Sequence, residues 1–102
     1  MDRVALTDET GGWFDKDKAE KFEEDTFWNG SNHISKATGS QWAHEELYRT
    51  ASGNWVLYSW SQMQGSVDTW EHIDGRDATS WLIENDHDVP EDLEQHATAL
   101  EL

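Results

Sequence analysis

Residues 41–50 and 54–62 read as two strand-forming runs joined by Ala51-Ser52-Gly53, and no other stretch of the chain limits the possible folds as sharply. A three-residue connection with glycine at its left-handed position makes a tight hairpin, and a tight hairpin fixes which residues face each other. With Thr50 opposite Asn54, Tyr48 faces Val56, Glu46 faces Tyr58 and His44 faces Trp60 on one side of the pleat. Leu47, Arg49, Trp55 and Leu57 occupy the other side. A second turn around Gln64-Gly65-Ser66 leads to a strand over residues 67–73, which places Trp70 beside Trp60 and His72 beside Tyr58. The expectation is a three-stranded antiparallel meander with large apolar side chains on both faces.

The flanking segments supply the rest of an α+β fold. A short apolar run at residues 4–6 ends in the turn-forming residues 8–12, giving a brief strand or extended arm. Asp15 suits a helix N-cap, with Phe14 and Ala19 as a hydrophobic staple, so a helix is expected from there to about Asp25. Residues 27–32 read as a loop or tight turn, followed by a short strand over 33–37. Further on, Asp74 caps a helix whose Ala78, Trp81 and Leu82 share one face, and Asn85 stops it. Pro90 fits the first turn of a last helix in which Leu93, His96, Ala97 and Leu100 recur at helical spacing. The predicted architecture is a three-stranded antiparallel meander, with room for one or two extra short strands, packed by about three helices in a single domain over residues 1–102.

The chain carries 22 acidic and 7 basic residues, a formal charge of −15. Phosphate recognition needs clustered Lys and Arg, so direct binding to nucleic acid or to an anionic membrane is excluded as an expectation. The acids run from Asp2 to Glu101 without forming a tail, which makes negative charge a property of the whole surface. A salty cytoplasm, where repulsion is screened, and a basic partner are the two explanations. High charge and low hydrophobicity also mark disordered chains, but disordered chains are poor in aromatics, and this one has seven Trp, three Phe and two Tyr. No cysteine is present, which removes disulfides, thiolate zinc sites and a cysteine nucleophile. The charged first ten residues do not form an ordinary signal peptide, and no apolar run approaches membrane length, so a cytoplasmic protein is expected.

Leu47-Tyr48-Arg49-Thr50, Gly53, Trp55-Val56-Leu57, Trp60-Ser61-Gln62, Gly65 and Trp81-Leu82 form a pattern that resembles small bacterial proteins sharing a hairpin followed by a helix. The resemblance spans residues 41–85. It implies the fold and carries no activity with it.

No catalytic, cofactor or metal motif stands out. The histidines at 33, 44, 72, 87 and 96 lack the i, i+4 or paired-strand spacing of a metal site, and no metal or cofactor is expected. Asp86-His87-Asp88 follows a helix end and is read as a helix stop. Ser59 and Ser61 have no nucleophile-elbow context, and no pair of carboxylates is singled out among so many. The candidate interaction patch is the aromatic set Trp42, Tyr48, Tyr58, Trp60 and Trp70, covered either by the N-terminal helix with Trp13, Phe14 and Phe22, by a second subunit forming a homodimer, or by a protein partner. The functional expectation is a non-enzymatic protein-interaction module. The alternatives are an acidic decoy that mimics DNA toward a basic DNA-binding protein, and a small metal-dependent hydrolase.

Overall fold

The structure, a computed structural model, describes residues 1–102. Its centre is an antiparallel sheet of four strands, β3 (Glu20–Glu23), β6 (Ala43–Arg49), β7 (Trp55–Ser61) and β8 (Thr69–Ile73), in the order β3-β6-β7-β8. Two small antiparallel hairpins flank it: β1 (Arg3–Ala5) with β2 (Trp13–Asp15), and β4 (Thr26–Trp28) with β5 (His33–Ser35). Two α-helices follow the sheet, α1 (Gly75–Glu84) and α2 (Glu94–Leu100). The α+β class expected from the sequence is found, with more strands and fewer helices than expected.

The central hairpin has the predicted register, with Tyr48 opposite Val56, Glu46 opposite Tyr58 and His44 opposite Trp60. Thr50 N–H donates to Asn54 O at 2.8 Å, and Gly53 closes the turn at φ +86°, a conformation that a β-branched residue resists. The next pairing departs from expectation. Trp70 stands opposite Tyr58 and His72 opposite Val56, two residues from the predicted partners, and β8 begins at Thr69 instead of residue 67. The connection is longer than a tight turn because Trp60 and Ser61 pair only with β6. A slip of two preserves the side on which each residue lies, so the faces are as predicted.

The expected helix after Asp15 is the main correction. Asp15 does cap a turn, accepting from Asp17 N–H, but that turn is a single 3₁₀ turn over Lys16–Lys18. Residues 20–23 then form β3, an added edge strand beside β6, with Phe22 opposite Leu47. The local propensity of Lys, Glu and Ala favours helix, yet a segment this short is marginal alone, and Ala19 and Phe22 give it too narrow an apolar face. As a strand, Phe22 enters the core while Lys21 and Glu23 lie on the other side.

Two cores result, one on each side of the sheet. Leu47 and Trp55 meet Ala78, Trp81 and Leu82 of α1 and Leu93 below α2, with Phe22, Leu57 and Ile73 around them. Opposite, Tyr48 and Val56 meet Phe14 from the N-terminal hairpin, with Val4, Leu6, Ala19, Tyr58 and Trp70 around them. Helix α2 approaches α1 closely at Gly75, where a Cβ would lie 2.8 Å from His96 Nε2. The strap between β1 and β2 also closes the outer edge of β8: Trp70 N–H donates to Thr7 Oγ1 at 2.8 Å, Thr7 N–H donates to Trp70 O at 2.8 Å, and His72 N–H donates to Asp8 Oδ2 at 2.7 Å.

Helix α1 begins at the predicted cap, Asp74 accepting from Asp77 N–H at 2.8 Å, and stops at Asn85. Beyond it, Asp86 N–H bonds Ile83 O and His87 N–H bonds Leu82 O, the reciprocal pair of a Schellman stop. Asp86 sits at φ +62°, the one non-glycine residue of the chain with positive φ. Glycine carries no Cβ penalty there, so Asp86→Gly is expected to raise unfolding stability by about 0.5–1 kcal/mol. An unchanged or lower denaturant midpoint would show that the Asp86 side chain stabilises this stop in a way its backbone geometry does not reveal.

Candidate interaction surface

Alternation along β6, β7 and β8 brings four of the five predicted aromatic residues to one face of the sheet. Trp60 and Tyr58 stack with centroids 4.9 Å apart, Tyr58 and Trp70 stack at 4.0 Å, and Trp70 meets Tyr48 at 5.6 Å. Phe14 of β2 lies 5.7 Å from both Tyr48 and Trp70, so the N-terminal hairpin covers the inner end of this column. Tyr48 is buried at 3% exposure and belongs to the core, whereas Tyr58, Trp60 and Trp70 are half-buried. Burial, then a hydrogen bond to the Asp68 carboxylate at 2.6 Å, pushes the Tyr58 phenol up to about 12. Burial and the Glu46 carboxylate raise Tyr48 as well.

The fifth residue, Trp42, lies off this column at the far end of the sheet and is 49% exposed. Gln62 N–H donates to Trp42 O, which extends the β6–β7 pairing to this end, and the exposed Met63 and Val67 follow from β7. The β4–β5 hairpin projects from the same end, because β3 runs past Glu23 opposite Glu46 and β5 leads back into β6. It carries Phe27 and Trp28, 46% and 60% exposed. Neither is among the residues singled out from the sequence, where 27–32 reads as a turn. The turn itself is real and is held by Asn29 Oδ1, which accepts from Ser31 N–H and Asn32 N–H. Two adjacent aromatics immediately before it were the signal of a hairpin arm.

Buried polar groups underneath this end hold it in place. Glu24 Oε1 accepts from Ser35 Oγ and from Glu45 N–H, both at 2.8 Å, and Glu24 Oε2 lies 2.6 Å from His44 Nδ1. A serine, a carboxylate and a histidine thus adjoin, but in an order that does no nucleophilic chemistry. A triad needs the serine on the second ring nitrogen of the histidine, whereas Ser35 bonds the carboxylate, is 1% exposed, and also accepts from Ala37 N–H and Thr38 N–H. His44 Nε2 is buried without a partner. The array ties β3, β5 and β6 together.

Glu45, on the opposite side of the sheet, accepts from Trp81 Nε1–H at 3.1 Å, and burial, reinforced by the Glu24 and Glu84 charges, raises its pKa. A raised pKa means the fold favours the protonated acid. That preference is fully present below the ordinary carboxyl range and is lost as pH rises through the raised value, so at neutral pH the ionised Glu45 weighs against the fold. Glu45→Gln keeps an acceptor for Trp81 and is expected to raise the melting temperature at pH 7. The gain should vanish below about pH 4, where the acid is neutral in both states. Equal melting temperatures at pH 7 would show that Glu45 is solvated well enough to ionise freely.

His33 packs edge-on against Trp28, His87 Nε2 lies 2.6 Å from Glu23 O, and His72 stands opposite Val56. No three His, Asp or Glu groups converge as a metal ion would require. No helix is long and apolar enough to cross a membrane. Comparison with protein-family models, curated proteins and solved structures finds no match to this chain.

Proposed function

We propose that this chain is a non-enzymatic protein-interaction module that docks a basic partner protein on the end of the sheet carrying Phe27, Trp28 and Trp42, with the outer part of Trp60 beside them. The supporting observation is surface left uncovered. The accessible area is 6654 Å², against about 5,900 Å² for a folded monomer of 11.8 kDa, an excess of about 750 Å². One partner's share of a standard interface is about 800 Å². The chain is also expanded, with a Cα radius of gyration of 14.3 Å against about 13 Å for its length, and the β4–β5 arm projects from the sheet. Exposed Trp and Phe are the residues that anchor protein interfaces.

Charge selects the partner. A second copy of this chain would bring −15 against −15, whereas a basic surface is drawn in by the same field. The array of Glu24, Ser35 and His44 pre-organises the arm, so little ordering cost is incurred on binding. The test compares the parent with the Trp28→Ala/Trp42→Ala variant in affinity capture from source-cell lysate at that cell's salt concentration, followed by titration of the purified partner. The expected result is a basic protein retained by the parent, with affinity at least tenfold lower for the variant. Equal capture by both proteins, or a parent that sediments as a stable dimer at micromolar concentration, would overturn the assignment.

A further inference from the structure

A cavity lies at the end of the sheet where β7 runs on past β8, so that Ser61 has a partner on β6 and none on β8. Its volume is about 400 Å³, within the range of small-molecule sites. Register sets Glu45 opposite Ser59, Ser59 opposite Thr69, and Ala43 opposite Ser61, which brings these lining residues to the face that α1 covers further along the strands. Ser66 and Val67 of the β7–β8 connection close the other side.

Glu45 is the one carboxylate in this lining. Its Oε1 accepts from Trp81 Nε1–H at 3.1 Å, and its Oε2 makes no hydrogen bond within the chain. The side-chain atoms that are both buried and unbonded are Asp15 Oδ2 and His44 Nε2 alone, so Glu45 Oε2 is open to solvent. None of the ion pairs of the chain includes Glu45. Burial raises its pKa, and the charges that add to the effect are those of Glu24 and Glu84, both of its own sign. His44, the other ionisable residue of the lining, turns Nδ1 to Glu24 and has its Nε2 shut off from solvent. The ionised Glu45 therefore weighs against the fold at neutral pH with no cation in the chain beside it, and a bound cation would remove that cost.

The other lining groups select the kind of cation. No three His, Asp or Glu groups converge here or elsewhere, so a metal ion is not held. The Ser66 and Thr69 hydroxyls are uncommitted, and Ser61 Oγ accepts from Met63 N–H. A guanidinium has five N–H donors to divide between Oε2 and such acceptors, whereas an ammonium has three. Ala43 and Val67 give an aliphatic stem an apolar wall.

We infer that this cavity takes an arginine side chain of the basic partner, with the guanidinium on Glu45 Oε2 and the hydroxyls of Ser59, Ser61 and Thr69, and the stem along Ala43 and Val67. The inference deepens the docking proposal and rests on it for the source of the arginine, since Trp60 belongs both to the docking end and to the cavity lining.

The probe is Nα-acetylarginine amide, titrated at pH 7 in about 0.15 M chloride by calorimetry and by the shift of the Trp81 indole N–H, which bonds Glu45 directly. Nα-acetylcitrulline amide keeps the shape without the charge, and Nα-acetyllysine amide carries the charge on an ammonium. The arginine probe is expected to bind one to one with a dissociation constant of about 1 mM or below, the citrulline analogue at least about tenfold more weakly, and the lysine analogue at least about threefold more weakly. Glu45→Gln should reduce the arginine probe to the level of citrulline while its melting temperature rises, so that the loss is not one of folding. Affinity of the parent should also fall as pH is lowered through the raised Glu45 value, a fall that Glu45→Gln should not show. Absence of saturable binding, binding of either analogue as tight as arginine, a Trp81 indole that does not respond, or full binding by Glu45→Gln would each overturn the inference. The probe needs no partner protein, so these results would sink the cavity without touching the docking proposal, whereas equal capture by the tryptophan variant would sink the docking proposal and leave the guanidinium site standing.

Discussion

Replacing Leu82 with alanine is expected to lower unfolding stability by about 3–4 kcal/mol, a large share of the roughly 5–15 kcal/mol available to a domain of this size. Leu82 has no exposed surface and sits in α1 within the cluster of Leu47, Trp55 and Trp81, where helix and sheet meet. Truncation removes buried methyl groups and leaves a cavity that the sheet, pinned on its other face by the N-terminal hairpin, closes poorly. Urea unfolding followed by tryptophan fluorescence reads the effect. The neighbouring Ile83 is 51% exposed, so Ile83→Ala serves as the control and should cost less than about 1 kcal/mol. Similar losses for the two variants would mean that α1 does not pack on the sheet through the face containing Leu82.

Asn85→Ala is the second large effect, expected at about 2–3 kcal/mol although no core methyl is lost. Asn85 is 3% exposed, and its amide makes two bonds: Oδ1 accepts from Asp25 N–H at 2.9 Å, and Nδ2 donates to Trp81 O at 2.9 Å. Alanine leaves the Asp25 N–H, between β3 and β4, without that acceptor, and the link from α1 to the root of the β4–β5 arm is cut. Asn85→Asp keeps the acceptor but sets a buried carboxylate oxygen against Trp81 O, and should cost at least as much as alanine at neutral pH. Hydrogen exchange at Asp25 should accelerate in Asn85→Ala before global unfolding. Unchanged exchange at Asp25 would show that this bond does not hold the arm.

What the sequence disclosed follows the range of the forces involved. The β6–β7 register was legible because a short turn with Gly53 and alternating residue types determine it within twenty positions. Asp74 and Asn85 were legible as the ends of α1 because capping is local. Residues 15–25 misled because their composition favours helix, while the partner that makes residues 20–23 a strand is β6, more than twenty positions away. The β7–β8 register slipped because Gly65 marks a turn without fixing its length.

The candidate surface divides along the same line. Parity along the strands placed Tyr48, Tyr58, Trp60 and Trp70 on one face, but of the three residues expected to cover it only Phe14 does, Phe22 lying in the opposite core and Trp13 in solvent. It also gave no reason to include Phe27 and Trp28, whose exposure depends on where the β4–β5 arm leaves the sheet. The tertiary role of Asn85, reaching sixty positions back to Asp25, had no sequence signature beyond its place as a helix stop.

The bonds from Thr7 and Asp8 to β8 bear on what the sheet does when crowded among its own copies. Of its two outer strands, β3 presents Glu20, Lys21 and Glu23 and discourages lateral growth by charge. Strand β8 has the other edge, and there Trp70 and His72 would offer their amides to any extended chain were Thr7 and Asp8 not already bonded to them. Asp8 carries a pKa held down by the Thr10 hydroxyl and then by the His72 amide, so its bond persists below the ordinary carboxyl range, and the two Thr7 bonds involve no titrating group. With one edge charged and the other bonded from within the chain, the sheet offers no unguarded strand for another copy to extend.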